Sequence, residues 1–405
     1  MSFDKQFAYS NLFTVRAVEE WPPPMDTSHK GSGPPPITFA YGLPDPGSFP
    51  FKDLIEATTR VLGGRGQVAL QYGPQRGYDG LLDVVVEKLA REENLEASRD
   101  ELLLTNGSSQ ALDMLCQVFV NPGDAVIVEA PCFHGALDTL RRLQAKPVHV
   151  TIDDEGIRTV ELAETVERLC RENRKPKFIY TVPNFHNPAG VTMSVPRRQG
   201  LLSVAREYGV VIVEDDAYRE LCYEGNPLPS LYSLDRDGLV VRMGTFSKIL
   251  SAGMRLGWVL GPERVIAKML LFKFDTGTNH FACHVAAEYS REHLQQHIVE
   301  LIDIYRCKRD AMLSALDANV ASLARWTVPK GGFYIWMDLP GSIDPDALRQ
   351  TAAEEGVVYL SGHVCFVDGR GKDALRLSFS FPGTDEIDEG IRRLGNALRT
   401  ASAKR

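Results

Sequence analysis

The chain has 405 residues, with 45 Lys and Arg against 53 Asp and Glu, so its formal net charge is −8. At roughly 150 residues per domain, two domains or one large α/β domain with an appendage are expected. The content of 44% apolar and 24% charged residues excludes wholesale disorder. The acidic balance argues against a nucleic-acid-binding protein, and the apolar runs are far shorter than the ~20 residues that span a bilayer.

Regular structure is expected only after an irregular start. Two runs of three prolines, within residues 22–36, predict an extended arm rather than core. Apolar residues at helical spacing then predict helices over 51–62 and 78–92. Six short, mostly apolar runs that alternate with helices are predicted as strands: 101–105, 125–129, 147–152, 178–182, 210–214 and 239–244. This alternation predicts a doubly wound, largely parallel sheet covered by helices on both faces.

The pattern changes near residue 293, where a second, smaller α+β domain is predicted. A long helix over 286–316 leads into strands at 325–328, 332–339 and 375–381, and a final helix covers 385 to about 398. The predicted division has three parts. Residues 1–49 form an N-terminal arm and part of the small domain, 50–292 form the large cofactor-binding domain, and 293–405 form the small C-terminal domain.

Cysteine and histidine spacing gives no sign of a metal. The seven cysteines are scattered without a C-x-x-C pair, which suggests neither a zinc site nor a disulfide framework. With no basic-then-apolar signal pattern at the N-terminus, the cytoplasm is the expected location. His280 and His284 are four residues apart but lack a third ligand nearby, so a solvated or packed pair is favoured over a metal site.

Polar groups suited to a ligand follow four of the predicted strands, and two of these strand ends are described first. Gly107, Ser108 and Ser109 lie where a predicted strand enters a helix, and backbone amides at a helix N-terminus bind anions. The alternative there is a plain helix cap. Asn187 belongs to a loop over 182–190 that follows the apolar strand predicted at 178–182; the loop can orient a polar cofactor, or form an ordinary Asn-Pro turn.

The other two strand ends supply a carboxylate and an amine. Asp215 is the middle one of three acids that end an apolar strand, with Tyr218 close behind, although a solvated turn is the alternative. Lys248 follows two hydroxyl residues and is trailed by Arg255, which suggests an anion held near an amine, unless the lysine is an ordinary surface residue. Together the four sites supply the groups that hold pyridoxal phosphate.

The chain resembles fold-type I pyridoxal-phosphate enzymes, specifically class I/II aminotransferases and, among them, the α-aminoadipate/kynurenine aminotransferase subgroup. The resemblance covers about residues 37 to 398 and includes the four sites. It also rests on Gly42-Leu43-Pro44-Asp45-Pro46, Phe49-Pro50, Gln71-Tyr72-Gly73-Pro74, Lys330-Gly331-Gly332-Phe333 and Leu375-Arg376-Leu377-Ser378-Phe379. It implies the type I PLP-dependent transferase fold, an α/β fold whose large domain has a doubly wound, mostly parallel, seven-stranded sheet, with a small α+β domain beside it.

The resemblance also implies roles for single residues. Lys248 would form the internal aldimine and move a proton, Asp215 would pair with the ring nitrogen, and Asn187 and Tyr218 would bond the ring oxygen. The residues implied to surround the phosphate are Ser108, Ser109, Gln110, Thr245, Ser247 and Arg255. Phe133 would stack on the ring, and Tyr72 would reach the phosphate of the other subunit, which implies a homodimer with shared active sites. Gly42, Asn187 and Arg376 would bind the substrate, and Arg16 would contact an acidic side chain.

Elementary chemistry supports two of these roles. A carboxylate about 4 Å from a pyridinium is worth at most about 4 kcal/mol at an effective dielectric of about 20, which keeps the ring protonated near neutral pH. Alternation along the strand at 375–381 points Arg376 away from the apolar face, and its planar fork suits a carboxylate. A solvent-exposed arginine is the alternative.

The predicted function is transfer of an amino group from an L-amino acid to a 2-oxo acid, with 2-oxoglutarate as the expected acceptor. A lyase, decarboxylase or oxidase on the same cofactor is the alternative, because all share these residues. A regulator with an aminotransferase-like sensor domain is disfavoured, since the ~40 irregular residues before the match are too few for a DNA-binding domain. The expected partners are small-molecule substrates and a second copy of the chain, with no nucleic acid and no membrane.

Overall fold

The computed structural model describes residues 12–14 and 36–403, so Arg16 and most of the proline-rich stretch lie outside the described residues. The strands, in chain order, are β1 (Ile37–Thr38), β2 (Leu102–Thr105), β3 (Ala125–Ala130), β4 (Lys146–Asp153), β5 (Gly156–Ile157), β6 (Phe178–Thr181), β7 (Val211–Asp215), β8 (Val240–Thr245), β9 (Gly257–Leu260), β10 (Arg325–Trp326), β11 (Tyr334–Asp338), β12 (Val357–Val358), β13 (Leu360–Ser361) and β14 (Ala374–Ser378). The α-helices are α1 (Phe51–Ala69), α2 (Asp79–Glu93), α3 (Ser108–Phe119), α4 (His134–Arg142), α5 (Thr159–Arg171), α6 (Val195–Tyr208), α7 (Leu231–Leu234), α8 (Glu263–Leu270), α9 (His280–Glu292), α10 (Leu294–Asn319), α11 (Pro345–Glu355) and α12 (Thr384–Ala403).

The main sheet has eight strands in the order β2-β9-β8-β7-β6-β3-β4-β5. Strands β4, β3, β6, β7 and β8 pair in parallel, whereas β9 is antiparallel to both of its neighbours and β5 is antiparallel to β4. The predicted α/β fold with a mostly parallel sheet is therefore confirmed. The predicted count of seven strands is wrong by one, because two-residue β5 turns back from β4 and is too short to show as an apolar run.

Helices cover both faces of this sheet because successive strand side chains point to opposite faces. In β2, Leu102 and Leu104 pack in a cluster with helices α1, α2 and α9, and Leu103 packs in another cluster with α3, α4 and α8. Further along the sheet, α5 and α6 pack over β3, β6 and β7. Each strand is buried on both sides, which explains why the runs are apolar throughout.

Two predicted helices contain a break or a kink that the sequence pattern does not show. The helix predicted over 286–316 is divided into α9 and α10 at His293, whose backbone (φ −120°, ψ −26°) is not helical. The apolar periodicity runs through this break, so the sequence pattern does not reveal it. Helix α1 continues past the predicted end at residue 62, but it kinks at Arg65 (φ −146°), where three nearby glycines lower the helix propensity.

A second sheet lies in the C-terminal part of the chain, with the antiparallel order β10-β11-β14-β13. It packs with α10 and α12 in one apolar cluster. Strand β1 pairs in parallel with β12, which joins the N-terminal segment to the C-terminal part of the chain. The boundaries at residues 49 and 292 stay a prediction. Within the described ranges, no helix is both long and apolar enough to cross a membrane.

The direction of the strands brings the four predicted sites to one edge of the main sheet. Strands β2, β6, β7 and β8 point the same way, so the segments that follow Thr105, Thr181, Asp215 and Thr245 meet there. This edge is where open α/β sheets bind their ligands.

Candidate active site

A cavity of about 320 Å³ opens at this edge of the sheet, between the main sheet and the second sheet. Most residues predicted to bind cofactor or substrate line it: Gly42, Ser108, Ser109, Phe133, Asn187, Asp215, Tyr218, Thr245, Ser247, Lys248, Arg255 and Arg376. They come from segments more than 300 residues apart in the chain. The fold therefore brings together groups that the sequence alone could only place at separate strand ends.

Lys248 presents an amine to the cavity. Its Nζ donates a hydrogen bond of 2.8 Å to the carbonyl oxygen of Gly42 and lies 5.4 Å from the centre of the Phe333 ring. Burial lowers the pKa of Lys248 to about 8, and the positive charges of Arg376 and Arg255 act in the same direction. A substantial fraction of the amine is thus neutral, and nucleophilic, at mildly alkaline pH.

Asp215 presents a carboxylate oxygen that lacks a partner. Its Oδ2 accepts a hydrogen bond of 2.6 Å from the hydroxyl of Tyr180, whereas Oδ1 is buried and has no partner among the described residues. Burial raises the pKa of Asp215 to about 6, although the Tyr180 hydrogen bond opposes the rise. A buried, unpartnered carboxylate oxygen is costly, and a cationic ring N–H would satisfy it.

The two acids beside Asp215 have structural partners. Asp216 forms an ion pair of 2.7 Å with buried Arg242, and Glu214 accepts the backbone N–H groups of Leu231 and Tyr232 at the start of α7. All three acids are buried, so the alternative of a solvated turn is wrong. An unpaired buried carboxylate is costly, and Asp216 avoids this cost through its ion pair with Arg242.

Another part of the cavity wall is suited to an anion. Ser108 and Ser109 open helix α3, and Ser247 and Arg255 line the wall nearby. Gly107, directly before the helix, has a φ of 79°, and a side chain there would overlap the guanidinium of Arg255. The helix N-terminus, hydroxyls and guanidinium are the donors that a phosphate needs.

Arg376 holds its planar fork inside the cavity. The side chain is 2% exposed, so the alternative of a solvent-exposed arginine is wrong. It donates hydrogen bonds of 2.8 Å to Asn187 Oδ1 and 2.6 Å to the carbonyl oxygen of Ala40, and its guanidinium lies 4.3 Å from the centre of the Tyr334 ring. Because its neighbours offer neutral acceptors, a substrate carboxylate would be its first anionic partner there.

Aromatic residues complete the wall. The hydroxyls of Tyr218 and Tyr334 are 3.1 Å apart, and burial, reinforced by Tyr334, raises the pKa of Tyr218 well above its usual value, so its phenol stays protonated. Gly42 is needed here because a Cβ at that position would overlap the Tyr334 hydroxyl. Phe133 and His134 line the wall at the start of α4, and burial, together with the charge of Arg376, lowers the pKa of His134 to about 4.

Two predicted residues that the structure describes, Gln110 and Tyr72, do not line the cavity. Gln110 accepts a hydrogen bond from the backbone of Asn106 and donates one of 2.9 Å to Asp275, so its side chain holds a neighbouring loop. Tyr72 is 83% exposed and does not line the cavity of its own chain. Arg16 lies outside the described residues.

Sequence reasoning missed Tyr180, His134 and Tyr334. Tyr180 lies inside a strand whose other residues are core, so its pattern is that of a packing residue. His134 directly follows the predicted Phe133 and carries no motif of its own. Tyr334 directly follows the Lys330-Gly331-Gly332-Phe333 motif, and this adjacency was the available signal.

His280 and His284 form a packed pair rather than a ligand set. Their Nε2 atoms are 3.2 Å apart, and the ring of Tyr78 stacks on His284 with a centroid distance of 3.7 Å. Within residues 12–14 and 36–403, no group of three or more His, Cys, Asp or Glu residues could hold a metal ion.

Comparison with known proteins agrees with this geometry. Residues 37–394 match the family model for aminotransferase class I and II. An aromatic-amino-acid aminotransferase from Thermococcus litoralis is 38% identical, over 91% of this chain and 89% of that protein.

Two solved structures are also similar. A kynurenine aminotransferase from Pyrococcus horikoshii, in complex with PMP, is 36% identical with a TM-score of 0.90, covering 97% of this chain and 98% of its own. An α-aminoadipate aminotransferase from Thermus thermophilus, complexed with N-(5'-phosphopyridoxyl)-L-leucine, is 36% identical with a TM-score of 0.86, covering 91% of this chain and 94% of its own.

The chain belongs to the class I and II aminotransferases, and it is a pyridoxal-phosphate-dependent aminotransferase. Its relatives place it with the α-aminoadipate/kynurenine aminotransferase subgroup, as the sequence motifs predict. The cofactor fits the residues on observations of this chain alone. Asp215 has an unpartnered oxygen for a ring nitrogen, Lys248 has an amine for the aldehyde, and Gly107 leaves the room that Arg255 occupies beside the anion site.

Proposed function

We propose that this enzyme moves the amino group of an L-amino acid to 2-oxoglutarate, with Lys248 as the amine to which the cofactor is attached. The observation that carries the proposal is that Lys248, Asp215 and Arg376 line one cavity. They supply a nucleophilic amine, a carboxylate without a partner, and a planar fork for the α-carboxylate that amino and 2-oxo acids share.

Each residue has a task in this proposal. When bound, pyridoxal phosphate supplies an aldehyde that condenses with amines and a ring that accepts the electron pair left by the substrate Cα proton. Asp215 would keep the ring nitrogen protonated, and the Lys248 amine would accept the Cα proton of the substrate. Arg376 binds the α-carboxylate and so fixes which bond at Cα is broken.

The remaining lining residues would orient the cofactor. The anion site at the start of α3, with Ser247 and Arg255, would hold the phosphate, since these groups supply the donors and positive charge it needs. Thr245 accepts a hydrogen bond of 3.0 Å from the backbone N–H of Ser247 and so holds that residue against the site. Phe133 would stack on the ring, and Asn187 and Tyr218 would bond its oxygen, as predicted.

We propose that the enzyme is a homodimer in which Tyr72 reaches the active site of the other subunit. Tyr72 is 83% exposed, and Phe274 (84%), Leu271 and Leu70 are exposed too. Gly277 lies against the backbone of Gly73 and Pro74, so these segments adjoin. Large exposed apolar side chains on adjoining segments are typical of a protein–protein interface. The cytoplasmic location stays a prediction.

The stoichiometry of the reaction tests the proposal. The relatives are named for aromatic amino acids, kynurenine and α-aminoadipate, so these are the first donors to assay with 2-oxoglutarate. The proposal expects one glutamate for each amino donor consumed, and no turnover without a 2-oxo acid. Continuous release of ammonia or carbon dioxide without an acceptor would instead identify a lyase, oxidase or decarboxylase.

Arg16→Ala tests the predicted contact with an acidic side chain. If Arg16 makes that contact, the variant loses far more activity with glutamate or α-aminoadipate than with leucine. Equal losses for all three donors would show that Arg16 has no such role.

A further inference from the structure

We propose that Glu129 and His186, which do not line the cavity, form a positioning pair that fixes Asn187 and, through it, the substrate-binding fork of Arg376. The inference rests on the proposed role of Arg376. It assigns a task to two buried polar residues that the reaction does not otherwise use.

The pair is fully enclosed and fully bonded. Glu129 lies at the end of β3 and is 1% exposed, and His186 is 2% exposed. Glu129 Oε2 lies 3.0 Å from His186 Nε2 and accepts the backbone N–H of Val182 at 2.8 Å, and Oε1 accepts the Thr181 hydroxyl at 2.6 Å. One carboxylate thus ties strand β3 to the end of β6 and to the loop that follows it.

The hydrogen bonds define which nitrogen of the His186 imidazole carries the proton. The backbone N–H of Ala189 donates to His186 Nδ1 at 3.2 Å, so that nitrogen carries no proton. The proton is therefore on Nε2, which donates to Glu129. The ring therefore links Glu129 to Ala189. Within the loop, His186 and Ala189 lie on either side of Asn187 in the chain, so this link holds the segment that contains Asn187.

The backbone of His186 is held as firmly as its side chain. Its N–H donates to the carbonyl oxygen of Val191 at 2.8 Å, and its carbonyl oxygen accepts the N–H of Gly190 at 2.6 Å. Asn187 is the next residue, and its Oδ1 accepts the 2.8 Å hydrogen bond from Arg376. A shift of His186 would therefore move the acceptor that orients the guanidinium.

A purely structural role is the competing explanation, and two substitutions at one position distinguish it. His186→Gln keeps an N–H for Glu129 and an acceptor for Ala189, whereas His186→Leu keeps the bulk but neither hydrogen bond. We expect His186→Leu to raise the KM for both the amino donor and the 2-oxo acid by about tenfold or more, the effect of losing a charge-assisted hydrogen bond. His186→Gln should stay within about threefold of the parent enzyme.

The control is Thr351→Val, a substitution of another buried polar residue, whose hydroxyl lies 3.1 Å from the carbonyl oxygens of Ala347, Leu348 and Ala397, away from the cavity. It should lower Tm without changing either KM. If His186→Leu does not fold, His186→Asn, which is too short to reach Glu129, is measured in its place.

The dissociation constant of the 2-oxo acid separates a failure of the proposed function from a failure of the positioning pair. It is measured by spectral titration of the parent enzyme that carries the cofactor in its amine form. A parent that binds no 2-oxo acid would refute the proposed function. If the parent enzyme transaminates normally, two results would refute the positioning pair. One is a His186→Leu variant that has a lower Tm but an unchanged KM, and the other is a His186→Gln variant that is as impaired as His186→Leu.

Discussion

Asp215→Asn should stabilise the cofactor-free protein at neutral pH while weakening its hold on the cofactor. Burial raises the pKa of Asp215 from 3.8 to about 6. Asparagine has nearly the same shape and still offers an oxygen to the Tyr180 hydroxyl, so the substitution removes mainly the charge. The outcome depends on the sign of the pKa shift.

A carboxyl whose pKa is higher in the folded state than in the unfolded state favours folding only while it is protonated. Its contribution is complete below about pH 4 and is lost as the pH rises through about 6. The shift of 6 − 3.8, about 2 pKa units, corresponds to about 3 kcal/mol at 1.36 kcal/mol per unit. At pH 7.5 the variant should therefore be more stable than the parent by up to about 3 kcal/mol, and near pH 4 by well under 1 kcal/mol.

The assay is the urea midpoint of both cofactor-free proteins at pH 4 and pH 7.5 and at equal protein concentration. In the cofactor-loaded enzymes the order should reverse at pH 7.5, because only aspartate offers a negative charge to a protonated ring nitrogen. The reasoning would be refuted if cofactor-free Asp215→Asn were less stable than the parent at pH 7.5, or if the difference were the same at both pH values.

Three further substitutions test other walls of the site. Tyr180→Phe removes a hydrogen bond to the Asp215 carboxylate, so the pKa of Asp215 should rise by about one more unit, seen as an upward shift in the pH profile of the cofactor-free urea midpoint; an unchanged profile would contradict this. Arg376→Lys loses the planar fork and should raise the KM for amino donors about tenfold to a hundredfold in steady-state assays, with cofactor affinity nearly unchanged. Gly107→Ala should weaken pyridoxal phosphate binding about tenfold by titration, because its side chain overlaps a guanidinium. Gly123→Ala is its control, since Gly123 also has a positive φ but nothing within 4 Å, and equal weakening by both would contradict the steric argument.

The sequence predicted which residues meet at one cavity better than it predicted the details of the fold. Strand-end positions are readable because apolar runs stop abruptly at Asp215 and Thr245, and parallel strands bring such ends to one edge. Gln110 could not be placed in this way. It is one residue beyond the serines that line the cavity, and on a helix the next residue points in a different direction. Its bonds to Asn106 and Asp275 depend on a loop more than 160 residues away.

Polar residues inside apolar strands were also not predictable. Tyr180 and Glu129 sit in runs that otherwise indicate core, and a buried hydroxyl or carboxylate shows its purpose only when its partner is known. The break at His293 was invisible for a related reason. It interrupts the helical backbone without interrupting the spacing of apolar residues on which the helix prediction rests.

The most direct test of the central claim is to locate the cofactor on the chain. Borohydride treatment of the loaded enzyme reduces the bond between the cofactor and an amine to a stable one, and peptide mass spectrometry then identifies the modified lysine. We expect a single pyridoxyl group on Lys248, and none on the Lys248→Ala variant treated in the same way. Modification of a different lysine in the parent, or equal incorporation in the variant, would contradict it.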